Sequence, residues 1–301
     1  MRLAVMIEGQ EGVAWADWLA LAEAVQTGGY EALLRSDHYF SVAGQAERGA
    51  LDAWGTINAL AAVTSGIRLG TLVSPVTFRP PAVLAKLALT ADHVSGGRID
   101  VGMGTGWWQE EHERYGFPFP PMKERMDELE RQLGEVTRLW AETPPAPVQQ
   151  PHPRIVLGGQ AKRRSASLAA RYADEYNMLY VDPAEARARG DRLATACETA
   201  GRDPGELRLS LMTGFVVGSD DAALREQAER HMAWTGETGD PGAWLENRRD
   251  AMHWLVGTPD EVVERIQQYT QAGIGRIALQ HHLFGDRDVL ALVARDVVPH
   301  V

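Results

Sequence analysis

The sequence predicts an α/β chain closed into a (β/α)8 TIM barrel. Short β-rich runs alternate with helical runs from one end of the chain to the other. The alternation gives eight strand–helix pairs in 301 residues, the number and length of one such barrel. The strand ends carry small or polar residues, such as Thr71, Ser74 and Thr77, or Gly104, Thr105 and Gly106. In parallel α/β proteins that end of the strands is where ligands bind. The competing architecture is an open doubly wound sheet. It would have fewer strands for this length and a Gly-rich loop after its first strand, where this chain has Glu8-Gly9-Gln10-Glu11-Gly12, a poor phosphate cradle.

Arg2 to Ile7 reads as the first strand, and Ala14 to Thr27 as the first helix, with Trp15, Trp18, Leu19, Ala22 and Val25 at helical spacing and Gly28-Gly29 as its stop. Ala32 to Arg35 is the second strand and runs directly into Ser36-Asp37-His38. The second helix covers Ala53 to Thr64. Next come a strand at Ile67 to Val73, a helix at Ala82 to Val94 opened by Pro80-Pro81, and a strand at Ile99 to Val101. The stretch after Trp107 (WWQEEHERYGFPFPP) reads as a loop, and Met122 to Trp140 as a charged helix. The Pro-rich segment AETPPAPVQQPHP cannot be helical. Arg154 to Leu157, Tyr176 to Leu179 and Leu207 to Val217 are the next strands, separated by helices at Lys162 to Tyr172 and Ala184 to Ala200.

Residues 219–256 are too long for an ordinary connection. They read as an insertion with helices at Asp221 to Trp234 and Trp244 to Leu255, placed after the seventh strand as a lid. Thr258-Pro259-Asp260-Glu261 is a capping box for the next helix, Arg276 to Gln280 is the eighth strand, and Arg287 to Val298 the last helix. The chain is expected to form one domain over 1–301.

Bulk properties narrow the function. Hydrophobic residues make up 45% and charged residues 24%, a globular profile. No apolar run approaches the roughly 18 residues of a membrane span, and MRLAVMIEG enters a strand without a signal-peptide layout. Cys197 is the single cysteine, which fits a reducing cytoplasm. A formal charge of −11 argues against nucleic acid and anionic membranes as partners.

Asp37-His38 follows the second strand directly and so belongs on the rim. A histidine beside a carboxylate suits proton transfer near neutral pH; the alternative is a turn cap next to a structural hydrogen-bonder. Gly102, Gly104 and Gly106 form GxGxG, which lacks the helix start of a dinucleotide fingerprint. With Trp107, Trp108, Glu110, Glu111 and His112 it reads as a pocket wall that admits a flat ring, or else as tight packing with the tryptophans plugging the barrel. Gly158-Gly159-Gln160-Ala161-Lys162-Arg163-Arg164-Ser165 is the strongest anion signal: glycines and a helix start accompanied by three cations. A plain turn with solvated arginines is the alternative there. No metal motif is present, and the adjacent His281-His282 face opposite ways in a strand.

Seven stretches in order resemble the bacterial-luciferase-like superfamily of flavin- and deazaflavin-dependent oxidoreductases. They are SDHY (36–39), LGTLVSPVTFRPPAVLAK (69–86), DHVSGGR (92–98), VGMGTGWWQEEHERYGFPFPP (101–121), IVLGG (155–159), AARYADEYN (169–177) and VGTPDEV (256–262). The W-x-E-E-H and YGFPFPP elements are most similar to its coenzyme F420-dependent branch. The resemblance implies a tricyclic redox ring over the barrel mouth, His38 beside its reactive face with Asp37 orienting the imidazole, and a cis peptide at Leu72-Val73. It implies ring-edge hydrogen bonds at Ser74 and Thr105, and a phosphate loop at Gly158 and Gly159 with Gln160, Lys162 and Arg163 nearby. Gly106, Trp107 and Glu110 join the cofactor side of the wall.

The implied activity is hydride transfer between F420 and a small, apolar organic substrate by a homodimer formed through the second and third helices. Alternatives are an FMN-dependent monooxygenase and a flavin-binding protein without turnover. The superfamily's deazaflavin sugar-phosphate dehydrogenases carry a glutamate where Trp107 stands, so that activity is not expected.

Overall fold

The computed structural model describes residues 1–45 and 47–301. In chain order the elements begin β1 (Arg2–Ile7), α1 (Trp15–Thr27), β2 (Ala32–Arg35), α2 (Ala53–Val63), β3 (Arg68–Thr71), β4 (Ser74–Pro75), α3 (Pro81–Ser95) and β5 (Ile99–Gly104). They continue α4 (Gln109–Tyr115), α5 (Met122–Glu142), β6 (Arg154–Gly158), α6 (Arg163–Tyr172), β7 (Glu175–Leu179), α7 (Pro183–Thr199) and β8 (Arg208–Val217). Then follow α8 (Asp221–Thr235), α9 (Pro241–Asp250), β9 (Leu255–Gly257), α10 (Pro259–Gln271), β10 (Arg276–Gln280) and α11 (Arg287–Asp296).

Strands β1, β2, β3, β5, β6, β7, β8 and β10 pair in parallel in that order, and β10 pairs back to both β8 and β1. The ring is closed, as the sequence predicts. Side chains along β1 alternate: Leu3, Val5 and Ile7 join the layer between strands and helices, while Ala4 and Met6 join an inner cluster with Ala32, Leu34, Val156 and Ala278. Three alanines in that inner cluster keep the barrel interior narrow.

The amino-terminal end of the barrel is plugged by charge. Arg276 donates to Asp100 and to Glu175, both at 2.8 Å, and Arg68 pairs with Asp100 at 2.6 Å, all four residues at β-strand starts. Burial alone would raise the Asp100 carboxyl, but Arg276, Arg68 and Arg154 hold it well below the ordinary carboxylate range.

Three local readings are corrected. The stretch after Trp107 contains a helix, α4, stopped by Gly116 at φ 73°. The second insertion helix ends at Asp250; Leu255–Gly257 is a strand because it pairs in parallel with Phe215–Val217 at the upper end of β8. The third strand stops at Thr71, and Ser74–Pro75 pairs separately with Met103 and Gly104. No helix among the described residues is long and apolar enough to cross a membrane.

Candidate active site

Asp37 and His38 lie just past β2, at the carboxyl end of the strands, and Gly158-Gly159 lie at the same end after β6. The two adjacent residues go in different directions. Asp37 is buried, accepting from Arg79 Nη1 at 2.5 Å and Nη2 at 3.1 Å, and from the Ser74 hydroxyl at 2.5 Å. Arg79 also reaches Asp52 at 2.8 Å, and Asp52 in turn caps α2 through the Gly55 amide. Asp37 therefore does not orient His38.

Glu111 does. Its Oε2 lies 2.8 Å from His38 Nδ1, and its Oε1 accepts the Tyr39 amide at 2.6 Å. Glu111 is fully buried on α4, a helix held by an aromatic cluster of Tyr39, Phe78, Tyr115 and Phe117. With the carboxylate as acceptor, Nδ1 carries the proton and Nε2 is left for the mouth. Burial lowers the imidazole pKa, but the bond to Glu111, its charge, and the charges of Glu8 and Asp37 together raise it above the ordinary value. Trp107 and Trp108 stand edge-on to the His38 ring at 5.6 and 6.0 Å and stack on each other; Trp107 is 61% exposed.

The glycine run has a packing role in part. A Cβ on Gly102 would lie 2.1 Å from Thr71 O, and one on Gly104 would lie 2.7 Å from Val73 Cγ2. Space read in the sequence for a flat ring is thus filled at those two positions by the Thr71 backbone and the Val73 side chain, beside the cis Leu72-Val73 peptide. Ser74 is buried, its hydroxyl bonded to Asp37 and accepting Trp54 Nε1 at 3.1 Å, so it is not a free ring-edge group. Thr105 and Gly106 are half-buried on the rim, and Gly106 (φ 75°) lies against the His112 ring. Glu110 is exposed, while its neighbour Glu111 turns inward.

In the loop after β6, Gly158, Gly159, Gln160, Lys162 and Arg163 are exposed. Gly159 (φ 139°) and Ala161 (φ 49°) shape it, and among the described residues the N-cap position Lys162 makes no side-chain capping bond to α6. Its first amides are therefore open to an anion. Arg164 is turned away onto Asp127 and Glu130 of α5 at 2.6 and 3.1 Å. Two arginines unsuspected from the sequence approach instead: Arg189 donates to Gly159 O at 3.1 Å and Arg192 to Gln160 O at 3.5 Å, both from α7. Their spacing of three places them on one helix face, the only sequence signal they gave.

The insertion has its own core of Val216, Leu224, Ala228, Met232, Trp244, Leu245, Trp254 and Val256. His282 stacks on Trp254 at 5.0 Å, whereas His281 is buried against Asp286 O. Two grooves, of about 570 and 420 Å3, lie outside the barrel and share no residue with this rim. Among the described residues, no three His, Cys, Asp or Glu side chains gather as a metal site.

A luciferase-like monooxygenase family model matches residues 1–276. The chain belongs to this family. Pyrimidine monooxygenase RutA of Cronobacter sakazakii is 28% identical over 246 residues, covering 74% of this chain and 64% of RutA. The chain thus matches less than two thirds of that relative's length. Monooxygenase RslO1 from Streptomyces bottropensis shares the fold with a TM-score of 0.81 and 24% identity, covering 100% of this chain and 99% of RslO1. The coenzyme F420-dependent tetrahydromethanopterin reductase from Methanopyrus kandleri has a TM-score of 0.77 at 19% identity, covering 99% of both chains.

Proposed function

We propose that this chain is an F420-dependent oxidoreductase acting on a small organic substrate, with His38 as its acid–base group and Glu111 as the residue that orients it. The observation that carries the reading is the His38 Nδ1–Glu111 contact of 2.8 Å on the rim shared with the α6 loop. Lys162 and Arg163 stand exposed on that loop in a chain of net charge −11, and Arg189 and Arg192, which share Glu185, donate to its carbonyls. Such a concentration of cations suits a cofactor with more negative charge than one phosphate.

When bound, the deazaflavin supplies the hydride. The chain's own groups do the rest. Lys162, Arg163 and the open amides of α6 hold the anionic end. Trp107 and Trp108 wall the mouth and exclude water. His38 Nε2 gives or takes the accompanying proton, while Glu111 fixes the tautomer and stabilises the imidazolium. A homodimer through α2 and α3 belongs to the same proposal; Val63, Val83 and Val94 are exposed on those helices.

The second reading is an FMN-dependent monooxygenase, favoured by the likeness to RutA over 74% of the chain. Titration of the protein with F420 and FMN separately, followed by turnover with and without oxygen, decides between them. F420 is expected to bind more tightly and to be consumed without oxygen. Tighter FMN binding, with oxygen consumed in step with product, establishes the monooxygenase instead.

A further inference from the structure

The barrel mouth holds a further carboxylate, at the end of the first strand. Glu8 is the first residue past β1, and its oxygens accept from Gln280 Nε2 (2.5 Å) and Gln10 Nε2 (2.8 Å). The glutamines are themselves fixed. Tyr180 Oη donates to Gln280 Oε1, Ser36 Oγ donates to Gln10 Oε1 at 2.6 Å, and the Gly9 amide donates to Ser36 Oγ at 3.0 Å. An amide whose oxygen already accepts a hydroxyl has only its N–H groups to offer. Every donor in this chain of side chains is therefore directed toward Glu8.

Among the described residues Glu8 has neutral hydrogen-bond partners and no arginine or lysine ion pair. Each oxygen keeps acceptor capacity. Glu8 continues the inward register of Ala4 and Met6 along β1, and Gln280 at the end of β10 ties it to Tyr180 just past β7, which puts the carboxylate over the barrel interior. Two flat groups border this end of the barrel: Trp107 and Trp108 beside His38, and the half-buried ring of His282, which is backed by buried Trp254. Arg248, over the Trp254 ring, is compensated by Glu237 at 2.6 Å, so the aromatic side of the mouth favours an uncharged guest. What fits is a neutral ring that stacks on aromatics and donates one N–H. A knot serving only to tie β1 to β10 would not discriminate between ligands.

We propose that Glu8 is the substrate-recognition carboxylate of the mouth, selecting a flat neutral substrate that presents an N–H donor, of the lactam or imide type. The inference rests on reading the mouth as the substrate site. Three matched pairs test it: 2-pyridone, uracil and phthalimide, each against its fully N-methylated form. Binding is followed by quenching of tryptophan fluorescence, which needs neither cofactor nor turnover. At least one N–H ring is expected to bind about tenfold more tightly than its methylated partner, the ratio given by one charge-assisted hydrogen bond. Glu8→Gln should bring that ratio within about threefold, and Glu8→Asp should retain a preference. Equal binding, or no saturable binding, across all three pairs in the unmodified protein overturns the assignment. So does an undiminished preference in Glu8→Gln. Either result would leave the cofactor titration unaffected, so the two failures are separable.

Discussion

Glu111 Oε2 and His38 Nδ1, 73 residues apart in the chain, meet at 2.8 Å on the barrel rim. If this contact sets the imidazole's basicity, Glu111→Gln should lower the pKa read in the pH–rate profile, and turnover should fall with it. His38→Ala removes the group and should lower turnover by about 10²–10⁴-fold with cofactor binding little changed. Unchanged turnover in His38→Ala would refute the acid–base role.

The same contact has a stability signature. The folded pKa of His38 is raised above its unfolded value, so the protonated form favours the folded state. The stabilisation is fully present below the unfolded value of about 6.5 and is lost as pH rises through the folded pKa. The stability difference between the unmodified protein and Glu111→Gln, measured by urea unfolding, should therefore be larger at pH 5.5 than at pH 9. A difference independent of pH would mean that Glu111 acts through packing alone.

Among the described residues, Arg79 is the sole charged partner of buried Asp37 in an ion pair, and it also holds Asp52. Arg79→Met leaves the Asp37 carboxylate buried without a cation. Loss of about 3–5 kcal/mol is expected, because breaking one side of a buried pair strands the other charge. Asp37→Asn keeps a hydrogen-bonding side chain in place and should lose less. Chemical denaturation of the two variants measures the ordering; a milder effect for Arg79→Met than for Asp37→Asn would contradict it.

Adjacent arginines in the α6 loop should behave differently. Arg163 is exposed at the first turn, while Arg164 is committed to Asp127 and Glu130. Arg163→Ala is expected to weaken F420 binding by about tenfold and to reduce its salt dependence, as loss of one charge-assisted contact would. Arg164→Ala should leave binding within about twofold, since its charge is already engaged. Titrations at two salt concentrations distinguish them, and equal effects would mean that the loop does not read the anion residue by residue.

The repeating unit was legible because it is local. Strand periodicity, glycine stops and the Thr258 capping box each lie within a few residues, and all eight barrel strands were placed from them. The partners of the site were not legible, because they are distant: Arg79 meets Asp37 across 42 residues. Adjacency in sequence suggested that Asp37 serves His38, yet the chain turns between them. Helix α4 was hidden for a different reason. It has only seven residues and no side-chain cap, and its neighbours are tryptophans and prolines. Once α4 is seen as a helix, Glu111 rather than Glu110 is the inward residue.

The insertion is docked through one close approach. Gly214 of β8 lies under Trp254, and a Cβ added there would stand 2.3 Å from the indole Cδ2 and Cε2 atoms. No side-chain contact is that short, so Gly214→Ala must displace the indole. Trp254 cannot shift alone, because it stacks on His282 and sits edge-on to Trp244 at 6.0 Å. The substitution should therefore lift the insertion from β8 and β10 while leaving the closed ring intact. Overpacking of this kind costs about 1–3 kcal/mol. The expected observations are a red-shifted tryptophan emission, faster proteolysis within 219–256, and a weakened preference for N–H rings as His282 loses its backing. Unchanged emission and protease resistance would show that the indole has another place to go.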